Sequence, residues 1–145
     1  MKKRLIAMLL ALTIVVSFVP HTVFAQEEEP NDTKESSYLN MYSASLYSKG
    51  VTGKLTLTFE VFATDDMDRV GVFEIIVRNN NGTVHSIIWG TTTNGLLDTN
   101  TWFHAGSHTL NLTSGNTYYC TVVVIARDAN GGDTRRITTQ HVTCP

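Results

Sequence analysis

Charge is scarce in this 145-residue chain: 17% of its residues are Asp, Glu, Lys or Arg, with 11 basic against 13 acidic. That balance excludes a basic nucleic-acid binder, because neutralising phosphates takes clustered Lys and Arg. Cysteine is scarcer still, with two residues, so at most one intramolecular bridge can form. After residue 25 no stretch carries apolar residues at helical spacing for three turns, which argues against a helical domain. No second long apolar run follows that point either, so no membrane partner is expected for the processed chain. Catalytic signatures are missing as well. There is no nucleophile elbow, and Gly131-Gly132 does not open a helix as a phosphate-binding loop must. Wholesale disorder is nonetheless excluded, since about 37% of the residues after position 25 are hydrophobic.

The amino terminus reads as an address. Lys2, Lys3 and Arg4 form a positive n-region, residues 5–19 are apolar apart from Thr13 and Ser17, and Pro20 ends any helix. Val23-Phe24-Ala25 then offers the residue types that signal peptidase reads. The spacing predicts an export signal cut after Ala25. The next residue is Gln26 and not Cys, so a lipid anchor is not expected, and the processed protein is expected to be secreted. Residues 26–37 (QEEEPNDTKESS) contain no hydrophobic side chain and are expected to be a disordered acidic tail. Residues 38–145 are left as one near-neutral domain, enough for a single modest core.

That domain is rich in Thr and in short β-branched and aromatic runs separated by Gly, Asn and Asp. Strands are expected over residues 39–47, 54–63, 70–78, 83–89, 103–112, 117–127 and 133–143, with 90–101 crossing between two sheets. In the second of these, Leu55, Leu57, Phe59 and Val61 alternate with Thr56, Thr58, Glu60 and Phe62. Phe73, Ile75 and Val77 are the expected core face of the third. Asn79-Asn80-Asn81-Gly82 is a strong turn signal, because Asn and Gly tolerate positive φ. The expectation is an all-β fold, an immunoglobulin-like β-sandwich of about seven strands.

The segment from Gly115 to Gly132 resembles the F strand and F–G loop of immunoglobulin and fibronectin type III domains, where a Tyr opens the strand and a Cys or aliphatic residue follows two positions later. The resemblance implies that Tyr118 is a corner tyrosine bonding back to the preceding turn, and that Cys120, Val122, Val124 and Ala126 point inward. Phe59 stands where immunoglobulin domains carry the partner cysteine, so their inter-sheet disulfide is not implied. As a whole, residues 38–145 also resemble a group of short secreted proteins of Gram-positive bacteria to which no activity is assigned. Ser45-Leu46-Tyr47 before a Gly turn, Met67-Asp68-Arg69-Val70-Gly71 and the segment from Tyr118 to Gly132 carry that likeness.

Several candidate sites follow from the residue pattern. Cys120 and Cys144 fall on the last two strands, and a hairpin turning at Asn130-Gly131-Gly132 would set them nearly opposite each other. A bridge there would close about 24 residues and contribute about 3 kcal/mol; free thiols or an intermolecular bridge are the alternatives. Asp65, Asp66 and Asp68 in one loop and Asp128 and Asp133 around another could converge on a calcium ion. The competing reading has Arg69, Arg127, Arg135 and Arg136 neutralise them as surface pairs. His104 and His108 are four apart, a zinc spacing on a helix but a separation of about 13 Å on a strand. With His85 and His141 scattered, zinc is disfavoured, and no cofactor is expected. Trp89 and Trp102 flank the crossover and could form a sugar-stacking platform, or they could pack the core margin.

Function is therefore expected in loops or edges, not in a catalytic pocket. The leading expectation is a secreted, non-enzymatic binding or adhesion-type module for an extracellular protein or glycan, with no nucleic-acid partner. A carbohydrate-binding accessory module is the second reading, and a secreted enzyme or enzyme inhibitor the third.

Overall fold

The computed structural model describes residues 37–145. The export signal expected at 1–25, and the acidic tail at 26–37 apart from Ser37, lie outside these residues. The strands are β1 (Leu39–Tyr47), β2 (Lys54–Met67), β3 (Arg69–Asn79), β4 (Val84–Trp89), β5 (Leu97–Asp98), β6 (Thr101–Asn111), β7 (Thr117–Asp128), β8 (Gly131–Thr138) and β9 (Val142–Thr143). Seven of them have six residues or more, and no helix occurs among the described residues. One sheet runs β1-β2-β6 and the other β4-β3-β7-β8, with β5 pairing β3 and β9 pairing β7. The second path is the C′CFG order of an immunoglobulin-type sandwich.

Alternation decides which face each strand buries. Leu55, Leu57, Phe59, Val61 and Ala63 of β2 are buried, as are Val70, Val72, Ile75 and Val77 of β3. Tyr118, Cys120, Val122, Val124 and Ala126 of β7 complete the layer between the sheets. Each such Leu, Val or Phe contributes on the order of 2 kcal/mol by leaving water. Phe73 departs from the expected core set. A register irregularity between Val72 and Glu74 turns it outward, and it is exposed. Tyr118 is buried, and its hydroxyl accepts the Thr113 N–H at 3.3 Å, the corner bond that the F-strand pattern implies.

Two of the boundary shifts bear on the candidate sites, and the second overturns the expected disulfide. Strand β2 continues through Asp65 and Asp66 to Met67, so those acids sit on a strand end and not in a loop. At the β7–β8 hairpin, Asp128 pairs with Gly131, leaving a two-residue turn at Ala129-Asn130. The cause is local: Asp128 Oδ1 accepts the N–H groups of Asn130 and Gly131 at 2.7 and 3.0 Å, which closes the turn ahead of Gly132. Cys120 consequently faces Thr139, whose N–H donates to the Cys120 carbonyl. Cys144 lies level with Asn116, to whose carbonyl its own N–H donates. Four residues of strand, roughly 13 Å, then separate the levels of the two cysteines. Both are free thiols buried in the core, and there is no Cys120–Cys144 bridge.

A candidate binding face on the three-stranded sheet

The outer face of the β1-β2-β6 sheet is built in rows by the pairing register. Met41 of β1 lies opposite Phe62 of β2, and Phe62 opposite Phe103 of β6. An irregularity between Leu39 and Met41 sets this level by placing Asn40 as an extra residue in β1. The Phe62 and Phe103 ring centroids are 4.5 Å apart, and Trp102 lies 6.0 Å from the first and 5.9 Å from the second. Three rings thus touch one another at one end of the sheet. They are not core: Met41 and Trp102 are each 53% exposed and Phe103 36%.

Beside this ridge the face becomes small and polar. The next level is Ser43, Glu60 and Ala105, and the one after it Ser45, Thr58 and Ser107. All of these but Ser107 line an open depression of about 410 Å³. Gly106 helps keep the sheet thin there, since a Cβ on it would lie 2.9 Å from the buried Phe59 ring beneath. The hydroxyls are partly engaged. Thr58 Oγ1 donates to the Ser45 carbonyl at 3.4 Å, and Ser45 Oγ accepts from Gln140 Nε2 at 3.0 Å. Glu60 is exposed and carries the single formal charge of these two levels. An apolar ridge beside a hydroxyl-lined hollow suits a ligand that has both apolar ring faces and many hydroxyl groups.

The two tryptophans singled out in the sequence do not meet on one face. Trp89 is on β4 of the other sheet, 56% exposed, with its ring edge-on to Phe73 at 5.5 Å. Ile87 and Val84 of the same strand are exposed as well. Of the ridge, only Trp102 stands out in the sequence as a candidate. Phe62 was visible as the one apolar residue on the polar face of β2, a signal that could have found the platform. Met41 and Phe103 needed the cross-strand register.

The five aspartates do not converge. Asp68 and Asp128 share a cleft of about 330 Å³ with Arg69 and Arg127, which face each other across β3 and β7. Asp65 Oδ1 accepts the Asp66 N–H, and Asp133 Oδ2 accepts the Tyr38 N–H at 3.1 Å. Among the described residues no three His, Cys, Asp or Glu side chains are grouped as a metal site. The histidines also part company. His104 Nε2 lies 2.9 Å from the Gly95 carbonyl and Nδ1 3.7 Å from Asp98, while His141 stacks on Tyr119 and His85 meets Tyr118. Burial pushes the Cys120 thiol up to about 12, the opposite of what a nucleophile needs.

No known protein family matches the chain, and no curated protein matches it in sequence. Solved structures that overlap it include a family 76 glycoside hydrolase from a bovine Bacteroides thetaiotaomicron strain, at 16% identity and a TM-score of 0.42. That overlap takes in 71% of this chain and 20% of the hydrolase, so the chain spans about a fifth of that protein. Another is the ApaA protein of Bordetella pertussis, at 12% identity and a TM-score of 0.43, over 74% of this chain and 95% of the other. Overlaps this loose carry no argument about what the chain does.

Proposed function

We propose that this protein is a secreted, non-enzymatic binding module that holds an extracellular glycan on the outer face of its β1-β2-β6 sheet. The observation that carries the reading is the contact of Phe62, Phe103 and Trp102 beside the hollow floored by Ser43, Ser45 and Thr58. Aromatic rings stack on the apolar faces of sugars, and hydroxyl and carboxylate groups take up their hydroxyls. With Glu60 as its only formal charge, the hollow favours uncharged polysaccharides over acidic ones. The export signal expected at residues 1–25 agrees with such a role, as does the likeness to short secreted proteins of Gram-positive bacteria.

The test is binding to a panel of neutral and acidic polysaccharides, read by tryptophan fluorescence for soluble chains and by pull-down for insoluble ones. A neutral polysaccharide is expected to bind, and Trp102→Ala to weaken it by about tenfold or more, or about 1.4 kcal/mol. Trp89→Ala, on the other sheet, leaves that affinity within about twofold. Equal losses from the two substitutions, or no binding across the panel, would remove the proposal.

A further inference from the structure

Strand β4 ends its sheet, pairing β3 on one side. Edge strands in stable monomers are usually blunted by Lys, Pro or inward charge, because an open ladder templates pairing with another chain. The six residues of β4, VHSIIW, contain no charged residue and no proline. Its side chains do not discourage contact either. Val84, Ile87 and Trp89 are 44%, 48% and 56% exposed, and Phe73 beside them is 37% exposed.

The backbone shows where a partner strand would pair. Gly90 N–H donates to the Phe73 carbonyl, so the residues in phase with Gly90 bond inward to β3. Ile87 and Trp89, in the opposite phase, direct their N–H and C=O to the open side. Asn94 Nδ2 already donates to the Trp89 carbonyl at 2.8 Å, closing that end of the edge. Ile87 is therefore the centre of the open ladder. An antiparallel partner with Ile87 opposite Ile87 of a second copy satisfies both copies with one reciprocal pair of hydrogen bonds.

Charge is compatible with the same partner and direction. On β3, Glu74 lies level with Trp89 at one end of β4, and Arg78 level with Val84 at the other. A two-fold axis through Ile87 puts Glu74 of one copy at the same end as Arg78 of its mate, three strand spacings or roughly 14 Å away, so opposite charges share each end as a weak, screened bias. A parallel neighbour would set like charges together.

We infer that β4 is a self-association edge, through which two copies pair antiparallel about Ile87 to form a weak homodimer with one sheet continuous across both. Covering Phe73, Val84, Ile87 and Trp89 in both copies removes at most on the order of 700 Å², short of the ~1,200 Å² of a stable interface. The dimer is accordingly a concentration-dependent one. Its two-fold runs perpendicular to the shared sheet and sets both sandwiches on one side of it, with their β1-β2-β6 faces uncovered.

Sedimentation velocity of the secreted protein from about 1 µM to about 1 mM tests this, since that span brackets a weak dissociation constant. The wild type is expected to move from monomer towards dimer mass, and Ile87→Lys to remain monomeric with an unchanged circular dichroism spectrum. Trp102→Ala should dimerise like the wild type whether or not any glycan binds, which separates this inference from the proposed function. Hydrogen exchange supplies a second readout that requires no variant: the Ile87 amide should exchange several-fold more slowly at the high concentration. A wild type that stays monomeric throughout, an Ile87→Lys variant that still dimerises, or an Ile87 amide indifferent to concentration overturns the inference.

Discussion

Two exposed apolar patches of similar size lie on opposite sheets, and they differ in what surrounds the rings. Trp102 and Phe103 stand on β6, itself an edge of its sheet, but their rings gather with Phe62 over the sheet's outer face, where the neighbouring level is Ser43, Glu60 and Ala105. On that face it is side chains that meet a ligand. Around Trp89 and Phe73 the neighbouring strand is an edge, with backbone groups of Ile87 directed outward and apolar side chains along its length. The same residue types therefore suit different partners. A sheet face with a polar floor suits a hydroxyl-rich polymer, and an apolar edge strand suits another strand. Exposure alone, 53% for Trp102 and 56% for Trp89, would not have distinguished them.

The largest expected effect comes from breaking the edge patch at its base. Gly90 ends β4 with its α-carbon so close to β3 that a Cβ would lie 1.8 Å from the Val72 carbonyl oxygen. Backbone cannot yield as a side-chain tip can. Gly90→Ala should cost about 3 kcal/mol or more, lowering Tm by roughly 12 °C or more for a domain of this size. The displaced element is β4, so glycan affinity measured below the new Tm should survive. An unchanged Tm would mean that the close approach of β3 and the Gly90 segment is misplaced.

A perturbation of the shared core should take both patches together and so serves as the control. Cys120 lies opposite Val77 on the inner face of the six-stranded sheet, and burial raises its thiol from 9.0 to about 12. Because the folded value is the higher one, the folded state binds the proton more tightly. The resulting stability is fully present below pH 9 and is lost as the pH rises towards 12. Chemical denaturation at stepped alkaline pH should show that decline, and Cys120→Ala should flatten it. The same thiols offer a direct check on the unbridged core. Intact mass should not change with reductant, and alkylation should require unfolding.

How far the sequence could be read follows the same division. Buried alternation is a local property, so Leu55, Leu57, Phe59 and Val61 of β2 are buried as expected, and the Tyr118-to-Ala126 pattern locates the F strand with its corner bond. The hairpin turn depended on a competition between two signals. Gly131-Gly132 looked like the bend, but the Asp128 carboxylate captured the two amides after Ala129 and closed the turn earlier. That shift of a few residues separated the cysteines. The platform was harder to see because its residues come from three strands, and an extra residue at Asn40 sets their common level. Trp89 and Trp102 are only thirteen positions apart in sequence, and the crossover between them sends each to a different sheet.

The smallest expected effect isolates electrostatics on the face. Glu60 is exposed at the middle of its level, with Ser43 and Ala105 on either side. Its repulsion of an acidic polysaccharide is a surface interaction, worth at most about 1 kcal/mol. Glu60→Gln keeps the size and hydrogen-bonding reach of the side chain. It should therefore leave a neutral polysaccharide within about twofold while raising the relative affinity for an acidic one up to about fivefold. At about 1 M salt the screening length falls to roughly 3 Å, and the difference between wild type and variant should vanish. Dimerisation through β4 should not respond to the substitution at all. If Glu60→Gln instead abolished binding of the neutral chain, the carboxylate would be a direct sugar ligand. The hydroxyl-lined floor would then be secondary to it.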